Sequence, residues 1–402
     1  MENRNNSLYL ILAAIFPISG FIYASLNPKI CSYKTLLILF FTFVGLAFLF
    51  TTGSDVSRYV EVFQTITKER ISLTDYYNSR PSAQQIDYYT IFMTWFLSRL
   101  TSNPHVYLGI LAFVPTVFLA QNVLYISGKC SDSSRFRFLL LILVLTPNVL
   151  FLTHRWWTAL QIFLFGMLPY VLDGKMKRLW ICLLAVVVHF SFLFPSILLL
   201  LYVFLPKKIV LPYLVVFIVT YFVSTLNFDF VSNIINQLLP TNYADRSVMY
   251  LSNDGDIAEE WASNILFSLH NFLNLIFTIF VFLRLKIEMK SNDFLRHLLI
   301  ISLIMASFAQ LANITDWGWR YFDLSNFLFM SFFVIIAANQ QFYKKLKILY
   351  RLSYLFFCFF LVVFVHHLFA VISPTNLFVG NYFTVWLIDE EVSVLEYIKT
   401  IL

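Results

Sequence analysis

The sequence predicts an all-α polytopic membrane protein, a single integral domain over residues 1–402 built from roughly 11–13 transmembrane or re-entrant helices. Three observations carry that prediction. Of 402 residues, 59% are hydrophobic and 12% charged, about half the usual charged fraction. A mean hydropathy of +0.76 with 46 Phe and 22 Tyr leaves too little polar surface to cover a globule, so lipid must replace water over much of the chain. Apolar runs of roughly 16–22 residues recur from end to end, whereas a β-barrel would alternate over about ten. Disulfide scaffolds, collagen and disordered tails are excluded by the same composition. The net charge of +6 is carried by short loops between apolar runs, which makes it a topology cue, and nucleic acid is not an expected partner.

Taken in order, the first run, 8–26, is interrupted by Pro17 and Gly20 and is expected to be a retained helix, followed by 35–52. A long mixed-charge loop, 53–105, comes next. Within it, 88–102 is apolar but only about 15 residues long with Arg99 inside, short for a hydrocarbon core of roughly 30 Å, and is expected to be interfacial or re-entrant. Spans follow at 106–126, 137–153 and 156–172. The stretch 179–205 lies between Lys175/Lys177/Arg178 and Lys207/Lys208, two basic clusters that both belong in the cytoplasm. Two short helices, 179–189 and 190–205, turning near His189 reconcile them. After 209–226 a second long loop, 227–261, holds six acids against Arg246 alone. The remaining spans are 262–283, 294–312, 324–340 and 352–372, and the segment 374–402 is expected on the outer side. This orientation places 18 of the 28 Lys and Arg residues in short cytoplasmic loops, as the positive-inside rule requires. None of the four cysteines falls in a long outer loop, so disulfides are not expected.

No nucleotide, zinc-protease, redox or serine-hydrolase motif is present, and no metal or other cofactor is expected. The chemical signal lies instead in polar residues at the outer ends of apolar segments, where a charge is costly unless compensated. Asp55 and Arg58, three apart near a helix start, read either as a capped helix with a local ion pair or as ligands. Asp75 to Arg80 reads as a solvated loop. Arg155, in Thr153–Trp157, either snorkels to lipid phosphate among belt tryptophans or holds a phosphate ligand. His189, in an apolar run, is either a core histidine or functional. His270, His366 and His367 read as packing. The densest cluster, Asp316, Trp317, Trp319, Arg320, Tyr321 and Asp323, combines an anion binder, possible bases and flat surfaces that stack on sugars or prenyl chains. Three arginines on an outer face that meets lipid headgroups imply an anionic ligand, and a lipid-linked phosphate or pyrophosphate is the natural candidate.

At these positions the sequence resembles the EpsG family and the Wzy O-antigen and capsule polymerases. The matching motifs are the Gly53–Tyr59 segment, His154-Arg155 before a helix ending in Gly174-Lys175-Met176-Lys177, the Val187-Val188-His189-Phe190-Ser191 segment, and Trp319-Arg320-Tyr321. Where the family often carries Gln after the arginine, Trp156 stands here. The resemblance implies a metal- and nucleotide-independent glycosyltransferase of the bacterial inner membrane that polymerises polyprenyl-pyrophosphate-linked oligosaccharide units on the outer face. It further implies His189 and Asp55 as catalytic, Arg155, Arg320 and Arg58 on pyrophosphate, and Tyr59, Trp317, Trp319, Tyr321, Asp316 and Asp323 on glycan. Membrane lipid, a chain-length regulator and a flippase of the same pathway are the implied partners. A lipid-linked oligosaccharide flippase or other transporter, or an O-antigen ligase, remain the alternatives; charges at one boundary and the lack of an internal repeat favour the enzyme over the transporter.

Overall fold

The structure is a computed structural model that describes residues 11, 13–26, 33–49, 55–80, 88–130, 154–224, 275–276, 278–285, 292–312, 320–339, 362, 365–366, 368–387 and 392–401. Among the described residues there is no strand, only an isolated antiparallel bridge between Phe48 and Ile372. The spans expected at 137–153, most of 262–283 and most of 352–372, and the loop 227–261, lie outside the described residues. The chain forms two compact units: Met1–Tyr170 with Gly174–Ser196 and Arg351–Leu402, and Val171–Asp173 with Ile197–Tyr350.

In the first unit, α1 (Pro17–Leu26) and α2 (Tyr33–Leu46) are followed by three helices within the segment 53–105: α3 (Asp55–Glu69), α4 (Leu73–Asn78) and α5 (Tyr88–Leu100). Then come α6 (Pro104–Ser127), α7 (His154–Asp173), α8 (Trp180–Val188) and the first turn of α9 (Leu193–Phe204). The C-terminal region adds α13 (Pro374–Phe378) and α14 (Val394–Ile401). The packing of α2 against α6 depends on two glycines. A Cβ at Gly45 would lie 2.5 Å from Ala112 Cβ, and one at Gly109 2.5 Å from Leu46 Cδ2, so the backbones approach as closely as small residues permit in a membrane bundle. Asn103 caps α6, its Oδ1 accepting from the His105 and Val106 amides, with Pro104 at the first helical position, a pattern that stops and restarts the chain cleanly.

The described parts of the segment 53–105 are thus packed helix. Val56, Val60 and Phe63 of α3 share a core with Phe48, Leu97, Tyr107, Leu108 and Leu111. Helix α5 has 13 residues, about 20 Å at 1.5 Å per residue, too short to cross. Its buried face is partly polar (Thr90, Thr94, Ser98), with Thr94 Oγ1 2.9 Å from the Tyr107 hydroxyl. Every fourth residue on the other side, Tyr88, Phe92, Phe96 and Leu100, is exposed. Aromatic outside and polar inside is the arrangement of a helix whose outer face meets an apolar medium, in accord with an interfacial segment.

The second unit holds most of α9, then α10 (Leu211–Ser224), α11 (Asp293–Ala312) and α12 (Arg320–Ala338). Helix α11 packs on both α10 and α12, and the Thr220 hydroxyl donates to Gln310 Oε1 at 2.6 Å between α10 and α11. At the end of α9, Arg296 Nε donates to the Lys207 carbonyl at 2.7 Å. Three described helices, α6, α11 and α12, are long and apolar enough to cross a membrane.

Candidate functional site

Helix α7 opens at His154, so the expected Arg155 is its second residue, half-buried. The arginine does not hang loose in an aromatic belt. Its guanidinium lies over the ring of Tyr59 from α3, 5.4 Å from the centroid, a cation–π distance. On the same tyrosine, the His154 ring makes an edge contact at 4.6 Å and 77°. Trp156 and Trp157, expected at an interface, are 1% and 2% exposed. Trp156 is buried because α8 and the turn after it cover it: its ring meets Phe192 at 4.5 Å and His189 edge-on at 5.5 Å and 88°.

His189 sits at the expected break. Its backbone is extended (φ −149, ψ 112) between α8 and a 3-10 turn, Phe190–Phe192. The break is held locally, because Nδ1 accepts from the Ser191 amide at 3.3 Å and lies 2.9 Å from the Ser191 hydroxyl. With Nδ1 engaged as an acceptor, the neutral ring carries its hydrogen on Nε2. What fixes α8 against α7 is Gly166, where a Cβ would meet Cys182 Sγ at 2.7 Å, the Cys182 nitrogen at 3.0 Å and the Arg178 carbonyl at 3.1 Å.

The first unit therefore joins three sequence-distant motifs: Tyr59 on α3, His154 to Trp156 on α7, and His189 at the α8 break. Arg58 is exposed. Asp55 opens α3, where the helix dipole favours a carboxylate, though its side chain lies outside the described residues. Two features went unread in the sequence. His154 is 4% exposed, its Nε2 has no hydrogen-bond partner, and it is the polar member lining a cavity of about 10 Å³ with Gly45, Phe48, Val56, Leu108, Leu111 and Ala112, close to the lower limit for one water. Arg80, expected in a solvated loop, lies over the buried Tyr76 ring at 4.8 Å and donates to its hydroxyl. Burial pushes the Tyr76 phenol up, while the guanidinium groups of Arg80 and, more weakly, Arg155 pull it down. The four-residue spacing of Tyr76 and Arg80 is the sequence signal for the first of these contacts, and no pattern in the sequence signals the reach of Arg155.

In the second unit Arg320 opens α12, Tyr321 is 2% exposed with its ring edge-on to Phe308 at 4.8 Å, and Asp323 is in the first turn. The Tyr321 ring is thus occupied by protein. Asp316, Trp317 and Trp319 lie outside the described residues. Among the described residues no three His, Cys, Asp or Glu side chains gather as metal ligands.

The family model described as EpsG family matches residues 32–384 of this chain. No curated protein and no solved structure matches it.

Proposed function

The chain belongs to the EpsG family, whose members are Wzy-like polysaccharide polymerases, and on that premise we propose that it joins polyprenyl-pyrophosphate-linked oligosaccharide units on the outer face of the bacterial inner membrane. The observation that carries this reading is the Arg155 guanidinium held on Tyr59, with the next residue of its helix, Trp156, in ring contact with His189 at the break. A pyrophosphate leaving group gains charge as the glycosidic carbon departs, and a guanidinium already held in place stabilises that charge without reorganising. Arg155 takes this role in the first unit, and Arg58, the residue before Tyr59 on α3, is assigned to the same pyrophosphate. Arg320 supplies a guanidinium to a second lipid-linked pyrophosphate, with Asp316, Trp317, Trp319 and Asp323 toward glycan.

The acceptor hydroxyl must lose a proton. Since Nδ1 of His189 is engaged by Ser191, its Nε2–H is suited to orient the acceptor, and Asp55 at the start of α3 is assigned as general base. Direct displacement would invert the anomeric centre through an oxocarbenium-like state. The linkage energy is stored in the pyrophosphate, so neither nucleotide sugar nor metal is required.

The decisive experiment supplies purified protein with a synthetic lipid-linked repeat unit and no nucleotide, then resolves the products by length. A ladder of oligomers with release of polyprenyl pyrophosphate is expected. Transfer of single units only, onto a lipid A acceptor, would make the protein a ligase, and movement of the unit across vesicles without bond formation would make it a transporter.

A further inference from the structure

Tyr59 was expected among the glycan-contacting residues, yet its ring is already engaged by protein. One contact is the Arg155 guanidinium at 5.4 Å; the other is the His154 ring, edge-on at 4.6 Å and 77°. Tyr59 belongs to the hydrophobic layer that packs α3 onto Phe48, Leu97 and Tyr107, so its own position is fixed by the core and not by a ligand. His154 is buried to 4% exposure with Nε2 unpartnered. A buried polar atom without a partner costs stability, and an aliphatic side chain would avoid that cost, so the ring itself must serve some purpose at this position.

We propose that Tyr59 and His154 are positioning residues for Arg155: the Tyr59 ring, anchored in the core of α3, carries the guanidinium, and His154 braces that ring, which together form a stack that fixes the direction in which the fork meets a pyrophosphate. This rests on the reading of Arg155 as the pyrophosphate ligand. The physical logic is preorganisation. An arginine side chain has several rotors, and a guanidinium that must search for its ligand loses orientation entropy in each turnover. A ring face fixes the plane of the fork, and the edge contact from His154 keeps that ring from turning. Because His154 precedes Arg155 on the same helix, the first turn of α7 both carries the cation and clamps the platform beneath it.

Ring-keeping and ring-removing substitutions separate this from plain packing. Tyr59→Phe and His154→Phe keep the faces and edges and should retain at least half of wild-type turnover. Tyr59→Leu and His154→Leu should lower turnover of the lipid-linked donor about tenfold, mainly in kcat, at unchanged protein level in the membrane. The double-mutant cycle with Arg155→Lys is the sharper readout. If the stack acts through the guanidinium, Tyr59→Leu adds less than a twofold further loss once Arg155 is lysine. Losses that multiply, or a Tyr59→Phe protein as impaired as Tyr59→Leu, overturn the positioning role while leaving Arg155 as ligand. Wild-type turnover from Arg155→Lys and Arg155→Ala would remove the pyrophosphate reading, and the stack with it.

Discussion

His189 holds a backbone break with the same ring to which the proposed reaction assigns a role. Its Nδ1 accepts from the Ser191 amide and so closes the break between α8 and the 3-10 turn, while its ring edge rests on Trp156. Asparagine at this position offers an oxygen to the same amide and is among the best residues for capping a helical start, but it has no Nε2–H in the same place. His189→Asn should therefore keep thermal stability in detergent within about 0.5 kcal/mol and lower polymer formation by at least about tenfold, at the low end of what a lost proton-handling group costs. His189→Leu should lose both. A polymer ladder of wild-type length from His189→Asn would reduce the histidine to a cap. The position could be singled out in the sequence as the deepest polar residue between two basic clusters. The partner could not, because a two-residue hydrogen bond to Ser191 leaves no periodic trace.

At the scale of elements, the α7–α8 contact places the site. Gly166 lets the Cys182 nitrogen and the Arg178 carbonyl come within 3.0 and 3.1 Å of where its Cβ would be, and two of the three atoms in the way are backbone and cannot rotate aside. Gly166→Ala should push α8 outward, lower stability by about 1–3 kcal/mol, and carry His189 away from Trp156. Adding Cys182→Ala removes only the sulfur, so it should recover a minor part of the loss. A melting temperature for Gly166→Ala equal to wild type would mean that the two helices are not in fact this close. The two-helix break was legible from charge alone, since loops rich in lysine before and after 179–205 demand an even number of crossings or a return. Burial was not legible. Trp156, Trp157 and Tyr321 sit inside the protein although they resemble belt residues, because in a bilayer both faces of a helix are apolar and hydropathy cannot say which one meets lipid. Of the helices between 55 and 100, α5 was legible as the apolar segment 88–102 and the start of α3 from Asp55 and Arg58, whereas the rest of α3 and α4 are polar enough to read as loop, and only the packing of Val56, Val60 and Phe63 with Tyr107 and Leu97 reveals how α3 is buried.

For the whole molecule the open quantity is which way it faces, and α7 supplies the ruler. Its 20 residues extend about 30 Å, and the span expected at 156–172 falls within it, so the sequence-based topology predicts Arg155 at one end and Gly174–Arg178 at the other on opposite surfaces. Tyr59 of α3 touches the first of these ends, which ties the 55–100 layer to the Arg155 side. The 18 basic residues in short loops predict that the Lys175 end faces the cytoplasm. A membrane-impermeant maleimide added to intact cells should therefore label Tyr77→Cys and spare Lys175→Cys, each in a chain without Cys31, Cys130, Cys182 and Cys358, and permeabilisation should expose the second. The reverse pattern would turn the molecule over. Arg155 and His189 would then face the cytoplasm, the side on which lipid-linked units are assembled and not the side on which translocated units meet, and the polymerase reading would fail with the topology.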